Sequence, residues 1–175
     1  MYKVVVLLMF SLLLSTGCSM KVPQTVEEFK QMVPQSTFGK QDQYIVKRSL
    51  ARVTKNLKKK SKECLNKTLE RTACFTSQYG GQSCSKTNIH FNPSVRAGKK
   101  KTSFVLQQSV EGAVRLFGKE PKGGDFSMVA DITSAGKNKS KVHAYYSSGT
   151  PEVVVKAVKR WASGKTRGCP DLTQN

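Results

Sequence analysis

The residues of this chain best equipped for chemistry are its five cysteines, at positions 18, 64, 74, 84 and 169. Thiols form disulfides in oxidising compartments, and as thiolates they bind metals or attack electrophiles. No two of these cysteines have C-x-x-C spacing, and the only histidines are His90 and His143, so no metal or cofactor is expected. An odd count in an exported protein calls for one cysteine with a separate role, leaving four for two disulfides and three possible pairings. Position favours Cys74 with Cys84, which flank an expected hairpin, and Cys64 with Cys169, which follow two expected helices. The second bond would close a long loop, worth about 4 to 5 kcal/mol in the chain-entropy model.

Catalytic constellations are thin, and no enzyme is expected. His90 and His143 fall in expected strands without a Ser or Asp signature beside them, which suits surface or packing roles. Asp125 and Asp131 lie six apart along one expected strand, hence on one face, but roughly 20 Å apart at strand spacing. That is too far for a general acid and base pair. Gly118 to Gly124 carries lysines and glycines without the order of a phosphate-binding loop or a following helix.

Charge is the stronger signal. Lys and Arg number 30 against 11 Asp and Glu, a formal net charge of +19. Such an excess attracts anionic lipid, glycan or nucleic acid and repels a basic partner, although it also serves solubility. It is concentrated at two places. An expected helix from Ser49 to about Leu65 buries Leu50, Val53, Leu57 and Cys64 and presents Arg52, Lys55, Lys58, Lys59 and Lys62, with Lys60 nearer the edge of the stripe. A turn then carries Lys99, Lys100 and Lys101. These eight residues are the candidate anion-binding set. Nucleic acid is the rival ligand, with Tyr79, Tyr145 and Tyr146 available for stacking, but no RNP, KH or helix-turn-helix signature accompanies them.

The N-terminus reads Met1, Tyr2, Lys3, the apolar run Val4 to Leu14, then Ser15, Thr16, Gly17 and Cys18. A positive start, a short apolar segment and small residues form an export signal. Eleven residues at ~1.5 Å each cover roughly 16 Å of a ~30 Å hydrocarbon core, too little for a span. Thr16, Gly17 and Cys18 resemble the lipobox of bacterial lipoprotein precursors, with the leucine that usually stands three places before the cysteine one place further out, at Leu14. The resemblance covers residues 1 to 18 alone. It implies that residues 1 to 17 are removed, that Cys18 is diacylated on sulfur and acylated on nitrogen with chains such as palmitate, and that Ser19 directs the protein to the outer membrane. Two or three acyl chains anchor stably.

Cleavage would take 17 of 175 residues and one of the 30 basic ones, leaving 158 residues with 29 Lys and Arg against 11 acids. Residues 18 to 24 would be lipidated cysteine and tether, with about 20 Å of reach from Ser19 to Gln24. Residues 25 to 175 read as one domain, without linker or repeat.

Within it, Thr25 and Glu28 suggest a capping box for a short helix bearing Phe29, Met32 and Val33 and ended by Pro34. Strands are expected at Gln43 to Lys47 and, as a hairpin, from Lys67 through Gly80-Gly81 to Phe91, with Leu69, Ala73, Phe75 and Tyr79 on one side and Asn92-Pro93 breaking the return. Thr102 to Val110 follows, with Gly112 as a bend before Val114 to Phe117. A second hairpin joins Phe126 to Thr133 with Lys141 to Ser147. Thr150 as N-cap and Pro151 at the first position start a final helix with Val154, Val158 and Trp161 inside and Gly164 as its stop.

The expected fold is α+β, a curved antiparallel sheet of about five strands packed against two main helices plus a short N-terminal helix. Its element order resembles helix-grip or TBP-like domains. The expected function is a non-enzymatic lipoprotein on the periplasmic face of the outer membrane, binding an anionic lipid or glycan or a partner in an envelope assembly. The alternatives are a periplasmic nucleic-acid binder and a pocket for a small lipid or glycan.

Overall fold

The computed structural model describes residues 21–76, 78, 80–113 and 118–173. The lipobox with Cys18, Tyr79 and the stretch Val114 to Phe117 lie outside them. Among the described residues the order is helix α1 (Val26–Met32), strand β1 (Gly39–Val46), helix α2 (Leu50–Cys64), strands β2 (Lys67–Thr76), β3 (Gln82–Ala97), β4 (Lys101–Val110), β5 (Asp125–Ser134) and β6 (Ser140–Ser147), and helix α3 (Glu152–Ala162). The fold is therefore α+β, with one antiparallel sheet ordered β1-β6-β5-β4-β3-β2. The sheet has six strands against the five or so expected, and β1 pairs along all of its length with β6. Among the described residues no helix is long and apolar enough to cross a membrane.

The two faces of the sheet are covered unequally. Helices α2 and α3 bury one face, where Val53, Leu57, Val154, Val158 and Trp161 meet Phe104, Leu106, Met128, Ala130, Ile132 and Val142. On the other face α1 covers a smaller cluster in which Phe29 and Val33 pack on Val105 and Val129. Alternation of side chains across β4 and β5 supplies both clusters from the same strands. A Cβ on Gly39 would collide with the carbonyl of Val33, so glycine lets the turn after α1 lie against β1.

Several local expectations change in place. The capping box of α1 is split: the Thr25 hydroxyl accepts from the Glu28 amide at 3.2 Å, but the Glu28 carboxylate reaches the amide of Gln24 rather than that of Thr25. Pro151 itself occupies the N-cap of α3, and the Thr150 hydroxyl instead donates to the Ser127 carbonyl at 2.6 Å. Ser127 is the extra residue of a β-bulge, since Leu106 pairs with Met128 and Gln107 with Phe126. The bulge reverses the alternation, placing Phe126 with the α1 cluster that also holds Val129. Asp125 and Asp131 accordingly stand on opposite faces, not on one.

Strand β3 continues through Asn92 and Pro93 to Ala97. Beyond Phe91 it has a partner on one side only, and proline is tolerated where a missing amide donor faces no strand. The same offset creates an arm. Strand β2 pairs with β3 from Gln82 to Phe91, whereas β4 pairs with it from Ile89 to Ala97, so among the described strands the ladder of residues 70–76 and 82–88 runs between β2 and β3 alone. Of the apolar side expected for this hairpin, Leu69 packs on the core, but Phe75, out on the arm, is 70% exposed.

Of the three possible cysteine pairings the protein has Cys64–Cys169 and Cys74–Cys84. The first joins the buried end of α2 to the C-terminal segment, whose Leu172 enters the core. The second crosses the arm between directly opposed residues.

Candidate anion-binding groove

Helix α2 organises the site. Its apolar stripe seats it on the sheet, leaving the opposite side to cations. Glu63 is its only acid, so thirteen residues from Leu50 to Lys62 carry no negative side chain. The Ser49 backbone occupies the N-cap while its hydroxyl makes no capping bond. Lys60 lies inside the buried stripe rather than at its edge: the residue is 6% exposed, and its amine reaches Glu63 at 3.1 Å. The stem packs as a hydrophobe while the charge escapes to a carboxylate at the rim.

The first turns of α2 face two hairpin turns. In the β3–β4 turn the Gly98 amide donates to the Lys101 carbonyl at 2.8 Å, which holds Lys99 and Lys100 at the tip. In the β5–β6 turn the Ala135 amide donates to the Lys139 carbonyl at 2.9 Å, and Gly136 takes φ +121°. Thr54 binds the helix to β4, its hydroxyl 2.6 Å from that of Thr102 and 2.8 Å from the Leu50 carbonyl. Between these elements lies an open groove of about 870 Å³.

Its floor includes Leu50, Ala51 and Ala97, and its cations are Lys55, Lys58 and Lys59 from α2, Lys99 from the first turn and Lys137 from the second. All five are exposed. Among the described residues none of them is paired with a carboxylate. Uncompensated like charges around one concavity focus a positive potential that favours anions.

Four of the eight expected residues thus meet in the groove: Lys55, Lys58, Lys59 and Lys99. Lys62 lines an adjoining cleft with Lys58. Arg52 and Lys100 are exposed but do not line the groove. Lys101 turns to the α1 face, where its amine lies 2.7 Å from Asp131. Lys137, in the turn of the second hairpin, joins the groove from outside the expected set. A glycine-started turn with lysines marks a hairpin end, and nothing local says that this end lies beside α2.

Asp131 holds a structural cluster. It accepts from Lys30 of α1 at 3.1 Å and from the Ser103 hydroxyl at 2.8 Å, besides its contact with Lys101. Burial alone would raise its carboxyl pKa, but hydrogen bonds from Lys101, Ser103 and Lys30 outweigh it and hold the group below the usual carboxylate range. Burial likewise opposes the charge on Lys30, and Asp131 more than restores it, raising its pKa.

The remaining candidates do not assemble. His143 Nδ1 meets the Tyr145 hydroxyl at 2.9 Å, and its ring stacks on that tyrosine. His90 Nδ1 meets the Thr68 hydroxyl at 2.7 Å. The Tyr146 hydroxyl donates to Asp42. Neither Tyr145 nor Tyr146 lines the lysine groove. Glu63, Cys64 and Cys169 come together, but the disulfide occupies both sulfurs and removes their thiolates.

No family model, no curated protein and no solved structure matches this chain.

Proposed function

We propose that this is a non-enzymatic, lipid-anchored envelope protein whose α2 groove binds an anionic component of the envelope. The observation that carries the reading is the convergence of five lysines from three separate elements on one concavity with no carboxylate among them. A merely solvated helix face needs no such convergence, because the cations from the two hairpin turns are recruited only by the tertiary fold.

The lipobox supports the anchor through Cys18, and two disulfides fit an oxidising compartment. The Ser19 signal favours the outer membrane, with the domain on its periplasmic face. The helix-grip resemblance extends to element order, an open sheet with its first and last strands side by side and a terminal helix behind it, and remains a likeness of arrangement.

The nucleic-acid alternative loses support because Tyr145 and Tyr146, two of the tyrosines available for stacking, do not line the lysine groove. The small-ligand pocket loses support because no aromatic side chain lines the groove. A partner protein of the envelope fits only if it presents an acidic surface.

The test is fluorescence titration of the purified protein with inorganic polyphosphate over a range of salt. A Lys55→Gln, Lys58→Gln, Lys59→Gln triple variant is expected to bind about 10- to 100-fold more weakly and to show a shallower salt dependence. Unchanged affinity in the triple variant would place anion binding elsewhere.

A further inference from the structure

The groove does not end at the first turns of α2. A second cleft of about 430 Å³ lies beside it, lined by Lys58, Ser61, Lys62, Asn66, Pro93 and Val95. Lys58 lines both. Together they follow α2 along the margin where β3 has lost its partner strand, and a helix of 15 residues spans about 22 Å.

We infer that the ligand of this track is an extended phosphorylated glycan; the inference rests on the anion-binding reading above and deepens it. Three features select this class. Length comes first: Lys55, Lys58 and Lys62 are spread over two turns of the helix, with Lys99 and Lys137 at one end. A compact anion neutralises one or two of them, whereas a chain with repeated charges neutralises the row.

The donor chemistry comes second. The described lining contains lysines and no arginine, and a lysine amine meets a phosphate oxygen as a point charge, without the fixed geometry that a guanidinium fork imposes. Between the lysines stand Ser49, Asn66 and Ser134, whose hydroxyl and amide groups both donate and accept, as sugar hydroxyls require. No aromatic ring offers the stacking platform on which single-stranded nucleic acids depend.

The third feature is orientation, which argues against the bilayer itself. Val22 packs at Gly118 and the Gln24 side chain donates to the Lys119 carbonyl at 2.9 Å. Residues 24 to 27 then border Val105 and Phe126 on the α1 face of the sheet. An anchor at Cys18 leaves four residues before Val22, at most about 14 Å of chain. The track lies on the α2 face, and its five-lysine end is at the β3–β4 and β5–β6 turns, away from the β4–β5 loop that holds the tether. Its ligand therefore approaches from the side away from the anchoring membrane.

The experiment titrates the purified protein, at fixed salt, with a long dextran phosphate, its dimeric fragment, neutral dextran, oligo-dT of charge matched to the long chain, and vesicles containing phosphatidylglycerol. The long dextran phosphate is expected to bind at least about tenfold more tightly per phosphate than the dimer and more tightly than oligo-dT or vesicles, with neutral dextran silent. Lys58→Gln is expected to weaken it about fivefold, and Lys119→Gln, on the other face, to leave it unchanged.

Equal affinity per phosphate for dimer and long chain would overturn the track while leaving the groove. Tighter binding of oligo-dT would assign the site to nucleic acid, and tighter binding of vesicles would assign it to lipid. Equal effects of Lys58→Gln and Lys119→Gln would move the site elsewhere. Binding of none of the anionic probes would remove the anion-binding reading as well.

Discussion

The helix-covered body of the sheet and the two-stranded arm carry one disulfide each, and the contrast between them shows how differently the same bond is used. In the body, Cys64–Cys169 joins groups 105 residues apart, and one of its cysteines, the last residue of α2, is fully buried. In the arm, Cys74–Cys84 joins neighbours across a ribbon that, among the described strands, is paired as β2 with β3 alone. The body has a large core besides its bond, with Trp161, Phe104 and Leu57 among its most buried side chains. A lone two-stranded ribbon is marginal in water, so the arm depends on its staple for order.

The contrast is tested most strongly by removing the long-range bond. A Cys64→Ala, Cys169→Ala double variant is expected to lose about 4 to 5 kcal/mol, measured as a lowered urea midpoint for the whole domain. A loss below about 1 kcal/mol would show that Leu172 and its segment hold the core edge unaided.

A smaller effect is expected at the opposite face, where α1 is held by charge as well as by Phe29. The Lys30 and Asp131 side chains are 16% and 17% exposed, so Asp131→Asn, which removes the carboxylate shared by Lys30 and Lys101 and leaves Lys30 only the exposed Glu27, should cost about 1 to 3 kcal/mol. The folded pKa of Asp131 lies below its ordinary value of 3.8. Its contribution is therefore complete above that value and disappears as pH falls through the lowered folded one. Lys30, with its pKa raised above 10.5, contributes fully below that value and loses its share as pH rises through the folded one. Thermal melts from about pH 2 to 6 should show a steeper acid loss in the natural chain than in Asp131→Asn. Parallel curves would mean that the cluster does not brace α1.

The smallest global effect is expected in the arm. A Cys74→Ala, Cys84→Ala variant should shift the body's urea midpoint by no more than about 0.5 kcal/mol. Amide exchange in residues 70–76 and 82–88 should nonetheless accelerate to near the unfolded rate, because the staple limits only this ribbon. Retained protection would make the arm a self-sufficient hairpin and remove the distinction between the two bonds.

Much of the fold was legible locally. The i, i+3, i+4 spacing of Leu50, Val53 and Leu57 reports α2 because a helix repeats every 3.6 residues. Alternation around Phe104 and Leu106 reports β4 for the corresponding reason in a strand. Less legible was Pro93, which suggests a break unless it is known that β2 stops at its level. The Ser127 bulge was invisible, as one unpaired residue leaves no mark in composition yet reverses the face of Asp125 relative to Asp131. Phe75 matched the apolar side of Leu69, but periodicity reports only that two side chains share a face, not that a helix lies over both.

The candidate site divides in the same way. Residue types and helical spacing by themselves determined that α2 would be cationic and that four cysteines could form two bonds, since charge, thiol chemistry and the helical repeat act over a few residues or none. Only the tertiary structure decided that Lys99 and Lys137 join Lys55, Lys58 and Lys59 while Lys101 turns away to Asp131. Those choices depend on which hairpin turns meet the start of α2, and contacts between residues 40 to 90 positions apart follow from strand order and register, which no local pattern encodes.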